Sequence, residues 1–251
     1  MKRHLFIGGI FLFLLWATPL YAQQDPSKLV DLLDLRNPVK TNELGTPLQL
    51  MFLMSFLTIL PFLVIMTTSF TRTVIVLSFL KNAIGTQQVP PSQVIVGLAI
   101  FLSIYTMSPV WREIDEKALQ PYMNREITQK EALEKTLSPL RTFMFRQTGK
   151  KELAFFIRTV RLPQPKNQKE VPTHVLIPAF MISELSTAFK IGFVLYLPFL
   201  VVDLVVANTL LALGMMMLSP VTISMPFKLL IFTLADGWNI IIKALVESFY
   251  I

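Results

Sequence analysis

Across 251 residues the chain is 53% hydrophobic, with a mean hydropathy of +0.57 and a formal net charge of +7. That apolar content is too high for an ordinary soluble domain and points to the membrane class. No cysteine is present, which excludes a disulfide framework, a thiolate metal site and a cysteine nucleophile.

The first element is a targeting signal. Lys2, Arg3 and His4 form a basic start, Leu5 to Trp16 is an unbroken apolar run, and "TPLYA" ends at Ala22 before polar Gln23, Gln24 and Asp25. This is the pattern of a cleaved leader over 1–22, because so short a run barely spans a ~30 Å hydrocarbon core. Cleavage would place residue 23 onward outside the cytoplasm. Residues 23–47 carry Pro26, Pro38, Gly45 and Pro47 and read as an exposed lead-in, with a short helix around 29–35.

Residues 48–109 predict a first apolar helical hairpin. Leu48 to Thr67 is a long apolar run holding Pro61, and a helical stretch follows between Arg72 and Lys81. Gly85 and Pro90-Pro91 stop it, and Val94 to Met107 forms a further apolar run ended by Ser108-Pro109. Residues 110–175 differ. Between Trp111 and Val171 lie 13 of the 23 basic and 8 of the 16 acidic residues, so the basic excess of the mature chain is local. Leucine and phenylalanine recur there at three-to-four spacing among the charges, which predicts amphipathic helices. Residues 176–251 predict a second apolar hairpin. Pro178 to Leu218 is long enough for two crossings or for one helix bent at Pro198. A final apolar run covers Phe227 to Tyr250.

The fold class expected is therefore all-α: apolar, integral-membrane-type helical hairpins flanking a charged, mostly helical insert. With the N-terminus outside and four spans, the insert lies on the outer, periplasmic side. The positive-inside tendency opposes this, but it weakens for segments near sixty residues.

Several charges fall within the apolar runs. Each costs on the order of 3 kcal/mol at a bilayer centre. Glu184 and Lys190 are six apart, on different helix faces, so they cannot satisfy each other. Asp203 has apolar sequence on both sides. These three are expected to be buried charges at helix–helix or subunit contacts, whereas Lys228, Lys243 and Glu247 are placed to snorkel from helix ends. The small residues Ser183, Ser186, Thr187, Ala188 and Gly192 allow close helix approach, within the chain or between subunits. Phe143, Phe155 and Phe156 are aromatics in a charged segment. They are expected to pack between subunits, the alternative being a private core for the insert.

Chemistry is otherwise sparse. There is no phosphate-cradling glycine loop and no Ser/His/Asp arrangement, and His4 and His174 are too far apart to read as a metal pair. The carboxylates of "REIDE" read as a solvated helix face. Neither an enzyme nor a cofactor or metal site is expected. The mixed charge of the insert forms no basic stripe for nucleic acid.

One stretch stands out against this background. "LALGMMMLSP", Leu211 to Pro220, places Met215, Met216 and Met217 between a glycine and a proline. Three consecutive residues cannot share one helix face. By residue pattern alone they fill an irregular helix–helix corner.

Two long strings carry a resemblance: "TSFTRTVIVLSFLKNAIGTQQVPPSQVIVGLAIFLSIYTMSP", Thr68 to Pro109, and the stretch from Pro178 to Tyr250 that includes the methionines. "EALEKTLSPLRTFMFRQTGKKEL" in the insert matches more loosely. On these strings the chain resembles the flagellar biosynthetic FliP family, which includes the equivalent subunit of virulence type III secretion systems. "MFRQT" and the leader favour the flagellar branch.

The resemblance implies a non-enzymatic pore subunit of the flagellar protein export gate in the bacterial inner membrane, with much of its mass at the periplasmic face. It implies a homo-oligomer, a pentamer, joined with FliQ and FliR, docking FlhB and FlhA, assembled with FliO and passing unfolded flagellar subunits. It also implies that Met215, Met216 and Met217 form a pore constriction, with Gly214 and Pro220 as the hinges of its loop. Helix surfaces that look lipid-facing would then lie against neighbouring subunits. The competing classes are a small-molecule or ion transporter and a structural membrane anchor.

Overall fold

The computed structural model describes residues 45–86, 89–160, 165 and 167–250. The leader expected over 1–22, and the lead-in with its short helix at 29–35, lie outside the described residues apart from the last positions before Leu48. Every regular element among the described residues is a helix.

The chain divides into two units, Met1–Leu60 and Pro61–Ile251. Helix α1, Gly45–Met66, runs across that division. Within the first unit its side chains Met51, Met54, Leu57 and Ile59 are exposed.

The second unit is organised around α2, Phe70–Ile84. Its sequence, FTRTVIVLSFLKNAI, is apolar on nearly every side, as expected of a helix with neighbours all round. Val76, Leu77, Leu80 and Ala83 are fully buried. The helix stops at Gly85, which takes φ +83° and returns its N–H to the Asn82 carbonyl, a left-handed cap that glycine adopts without a Cβ penalty.

Helix α3, Ser92–Thr106, follows Pro91 and packs on α2. Pro109, with no N–H to give, sits in the first turn of α4, Ser108–Ile114. The chain bends there by 54° and continues through a π-helical turn, Asp115–Leu119, into α5, Gln120–Met123.

The charged insert, which α4 and α5 begin, continues with two longer helices. Helix α6, Gln129–Gln147, opens on a capping box. The Thr128 hydroxyl accepts from the Glu131 N–H, and the Glu131 carboxylate accepts from the Thr128 N–H at 2.8 Å. Helix α7, Lys150–Thr159, lies against the long helix that follows. A 3₁₀ turn, Gln168–Glu170, leads into that helix, and Arg141 clamps the turn to α6 by donating to the carbonyls of Gln168 and Val171 at 3.0 and 2.6 Å.

Helix α8, Thr173–Ala212, is one continuous helix of 40 residues despite Pro178 and Pro198. Of the two sequence alternatives for this run, a pair of crossings is therefore excluded. At 1.5 Å per residue it is roughly 60 Å long, about twice a hydrocarbon core. Its two halves differ. Val175, Leu176, Ala179, Phe180, Ser183, Glu184, Ala188 and Gly192 of the first half are buried, whereas only Phe199 and Leu210 are buried further on.

Helix α9, Pro220–Leu234, and helix α10, Gly237–Glu247, complete the chain, with a 66° bend between them. Among the described residues, α8 alone is long and apolar enough by length and composition to cross a membrane, or up to four spans exist if each bent pair counts as one.

The main core joins α2, α3, α6, α8 and the C-terminal residues through Leu77, Ile95, Phe143, Leu176, Phe180 and Phe249. Of the small residues of α8, Ser183, Ala188 and Gly192 are buried inside the chain. A Cβ on Gly192 would lie 2.6 Å from the ring of Phe79, so glycine sets how closely α8 approaches α2.

Gly192→Ala should therefore push the two helices apart and lower stability by about 1–3 kcal/mol, the usual range for overpacking. A fall in the thermal unfolding midpoint of the detergent-purified protein checks this, and an unchanged midpoint would refute it. A second expectation concerns pH. The hydrogen bonds from the Thr128 N–H, then from its hydroxyl, hold the Glu131 carboxyl below its usual range, and Lys135 adds to the effect. The folded value is the depressed one, so the cap's contribution is complete above the ordinary carboxylate pKa and is lost as pH falls through the folded value. Amide protection in the first turn of α6 should drop as pH falls below the ordinary carboxylate range, and Glu131→Gln should make that profile flat.

Candidate functional site

The methionine loop is built from its anchors inward. Helix α8 ends with Gly214 at φ +72°. The Met215 N–H reaches back to the Leu210 carbonyl at 2.9 Å and the Gly214 N–H to Leu211 at 3.0 Å. These are the paired bonds of a Schellman cap, which use up carbonyls the helix end would otherwise leave open. On the far side, Pro220 occupies the first turn of α9, where its missing N–H costs nothing and its fixed φ suits a helix start. Between these fixed ends, Met215, Met216 and Met217 are 48%, 79% and 100% exposed. They do not fill a helix–helix corner within the chain.

The two arms of this loop are stapled further down. Lys228 of α9 donates to Asp203 of α8 at 2.6 Å, and Ser224 donates to the other oxygen of the same carboxylate. Lys228 is 2% exposed and Ser224 fully buried. The expectation that Lys228 snorkels outward is thus corrected: its ammonium turns inward because an unpaired Asp203 beside it would be far more costly to bury. Beyond the staple an open apolar cleft of ≈ 470 Å³ separates the arms, lined by Val202, Val206, Leu210, Ile223 and Phe227 among others.

A second buried pair lies in the core. Arg72 of α2 and Glu184 of α8 meet side-on, Nη2 to Oε1 at 2.5 Å and Nε to Oε2 at 2.9 Å. Their side chains are 3% and 0% exposed. The rest of the guanidinium is also engaged. Nη1 donates to the carbonyl and hydroxyl of Ser248 at 3.0 and 3.1 Å, and Nη2 donates to Gln147 Oε1 at 2.8 Å. These contacts match the five N–H donors that an arginine carries. The guanidinium also lies 4.1 Å from the centre of the Phe249 ring. Gln147 in turn donates to the Phe249 carbonyl, and Tyr250 donates to the Thr106 carbonyl. One arginine therefore joins α2, α6, α8 and the C-terminal turn. Sequence reading treated Arg72 as the bracket of a helix and missed this role. The available signal was the same one that picked out Glu184, a lone charge in an apolar run.

The other residues singled out in the sequence separate from one another. Lys190 is exposed and joins neither buried pair. Phe143 is corrected: it is 8% exposed and packs against Phe180 and Phe249 inside this chain's own core, so it is not available to another subunit. Its place follows from α6, which must lay an apolar face on α8. Phe156 is half-buried against the same core, and Phe155 is 62% exposed with its edge against Phe156. Among the described residues no three His, Asp or Glu side chains gather as a metal site.

A family model described as the FliP family matches residues 53–245. The chain is 48% identical over 202 residues to the flagellar biosynthetic protein FliP of Pectobacterium carotovorum subsp. carotovorum, a match spanning 80% of this chain and 78% of that one. It is 45% identical over 205 residues to the protein of the same name from Bacillus subtilis (strain 168), covering 82% and 93%. With the Treponema pallidum (strain Nichols) protein of that name it shares 40% identity over 263 aligned positions, covering 99% and 97%.

Breaking the Arg72–Glu184 pair from one side strands a buried charge. Arg72→Met or Glu184→Leu alone should cost about 3–5 kcal/mol, whereas the double variant should recover most of that loss. A double-mutant cycle on denaturant unfolding in detergent measures the coupling. Additive single losses would show that the two side chains do not act as a pair.

Proposed function

The chain belongs to the FliP family, and on that premise we propose that it is a pore-forming core subunit of the flagellar type III protein export gate, conducting unfolded flagellar subunits across the bacterial inner membrane. In this reading several copies, five as the family resemblance implies, assemble with FliQ and FliR, dock FlhB and FlhA, and are brought together with the help of FliO. The leader, 1–22, delivers residues 23–47 and the insert, 110–175, to the periplasmic face. The apolar segments 48–109 and 176–251 form the wall, partly against lipid and partly against neighbouring subunits.

The observation that carries this reading is the methionine loop. Three exposed methionines sit on a loop whose two ends are fixed. Methionine is apolar, unbranched and polarizable, so a ring of such side chains can close against ions by excluding water and still deform around dissimilar polypeptides. A channel whose cargo varies in sequence needs softness at its narrowest point rather than a binding site. The open cleft between α8 and α9 and the exposed second half of α8 leave apolar surface that neighbouring subunits would cover. Phe155 is the aromatic of the insert still placed for such a contact.

Buried charge supports a wall more than a polar translocation path. Among the described residues no buried side-chain nitrogen or oxygen lacks a hydrogen-bond partner. A transporter for ions or small polar solutes would keep some of those groups free for its cargo.

Changing Met215, Met216 and Met217 together to Ala, with partner subunits coexpressed, should leave assembly intact and raise leakage of small ions. Recording ion leak beside export of a hook or filament subunit tests this. An assembled variant with unchanged leak and normal export would sink the constriction.

A further inference from the structure

The chain has no cysteine, so its methionines carry all of its oxidisable sulfur, and they differ sharply in access. Met107 and Met144 are 0% and 2% exposed in the core, whereas Met216 and Met217 are 79% and 100% exposed side by side. Susceptibility to oxygen donors follows access to the sulfur. The product, a sulfoxide, turns a soft apolar side chain into a polar one.

We propose that Met215, Met216 and Met217 form an oxidation site at which two-electron oxygen donors of the hypochlorous acid or peroxide class open the closure that the same side chains make. The consequence for closure rests on the constriction reading above. The assignment of the site rests on exposure and on adjacency along the loop. With hypochlorous acid, a methionine sulfur donates a lone pair to the oxygen. An S–O bond forms, the O–Cl bond breaks, chloride departs and the hydroxyl proton passes to water. Sulfur is oxidised and chlorine is reduced, and each event adds one oxygen atom to one side chain.

The loop is suited to this chemistry. Its backbone is held by the Schellman cap at Gly214 and by Pro220, so oxidation changes the polarity of the side chains without dismantling their support. A constriction that closes by dewetting depends on apolar lining, and sulfoxides hold water there. Each copy supplies three adjacent sulfurs, so a few events per ring suffice to wet it. Methionine sulfoxide reductases return the sulfide, which makes the change reversible.

The experiment uses the complex coexpressed with its partners, in membrane vesicles exposed to graded hypochlorous acid. Peptide mass spectrometry follows oxygen uptake while ion leak is recorded. Met123 of the insert, 72% exposed and isolated, reports unhindered oxidation, and Met107 and Met144 report protected sulfur. The expected result is sulfoxide at 215–217 well before Met107 and Met144, with Met123 marking the unhindered limit. A rise in leak accompanies it, is absent when all three loop residues are changed to Leu, and is reversed by a pair of sulfoxide reductases. Loop oxidation no faster than that of the core methionines would overturn the site. Early loop oxidation with no rise in leak would overturn the switch. In that case the triple Ala variant separates the failures: if it leaks, the constriction stands and only the oxidation proposal falls, and if it too is tight, the constriction reading falls as well.

Discussion

The side-on contact between Arg72 and Glu184 is the interaction on which the arrangement of the second unit depends. Helices in apolar surroundings gain little orientation from the hydrophobic effect, because one greasy face substitutes easily for another. A buried charge removes that freedom. Arg72 satisfies its donors only when α8 presents Glu184, α6 presents Gln147 and the C-terminal turn presents Ser248. A rotation of any one of these elements strands polar atoms in the core, at several kcal/mol per ion. We therefore read the pair as a device of registry: a hydrophobic replacement could match its stability but could not name its partners.

That registry explains how α8 serves two environments. Its first half meets α2 closely through Ala188 and Gly192 and carries Glu184 into the core, whereas its second half keeps most of its apolar side chains on the surface. At roughly 60 Å the helix is too long for hydrocarbon to cover it all. The charged insert packs α6 and α7 on it as well. The network at Arg72 thus ties the insert, the helices and the chain terminus into a base from which the far half of α8 projects toward the methionine loop.

Much of this was legible in the sequence, and the gaps have physical causes. Long apolar runs, the charged insert and the stops at Gly85 and Pro109 follow from propensity and punctuation, which act locally. Glu184 and Asp203 could be flagged because isolated charges in apolar sequence demand partners. The partners themselves could not be named, since Arg72 lies 112 positions from Glu184 and Lys228 lies 25 from Asp203. Lys228 misled because the apolar run was taken to begin at Phe227, which puts the lysine at a helix end, whereas α9 begins at Pro220 and carries it mid-helix onto Asp203. Phe143 misled for a similar reason: charged neighbours in sequence say nothing about which helix face meets α8. The continuity of α8 through Pro198 was left open because a proline removes one backbone bond but does not by itself end a helix that is well supported elsewhere.

The methionine loop draws on every one of these constraints. In the constriction we propose, soft side chains would seal only on a fixed backbone, since a floppy loop would let the whole closure drift aside under a passing chain. The Schellman cap fixes one end of the loop and the proline start of α9 fixes the other, and roughly 14 Å along α8 the Asp203–Lys228 staple keeps the two arms together. Farther back, Arg72 holds α8 in register with the rest of the unit. Rigidity is therefore graded along α8 and the loop that follows it, from a fully buried ion pair through one whose carboxylate is 23% exposed to three exposed thioethers. Compliance is confined to side chains that can move in nanoseconds or less without any change in the fold. The constriction we propose would then yield to its cargo at the tip alone, with the polar groups that define the structure still satisfied.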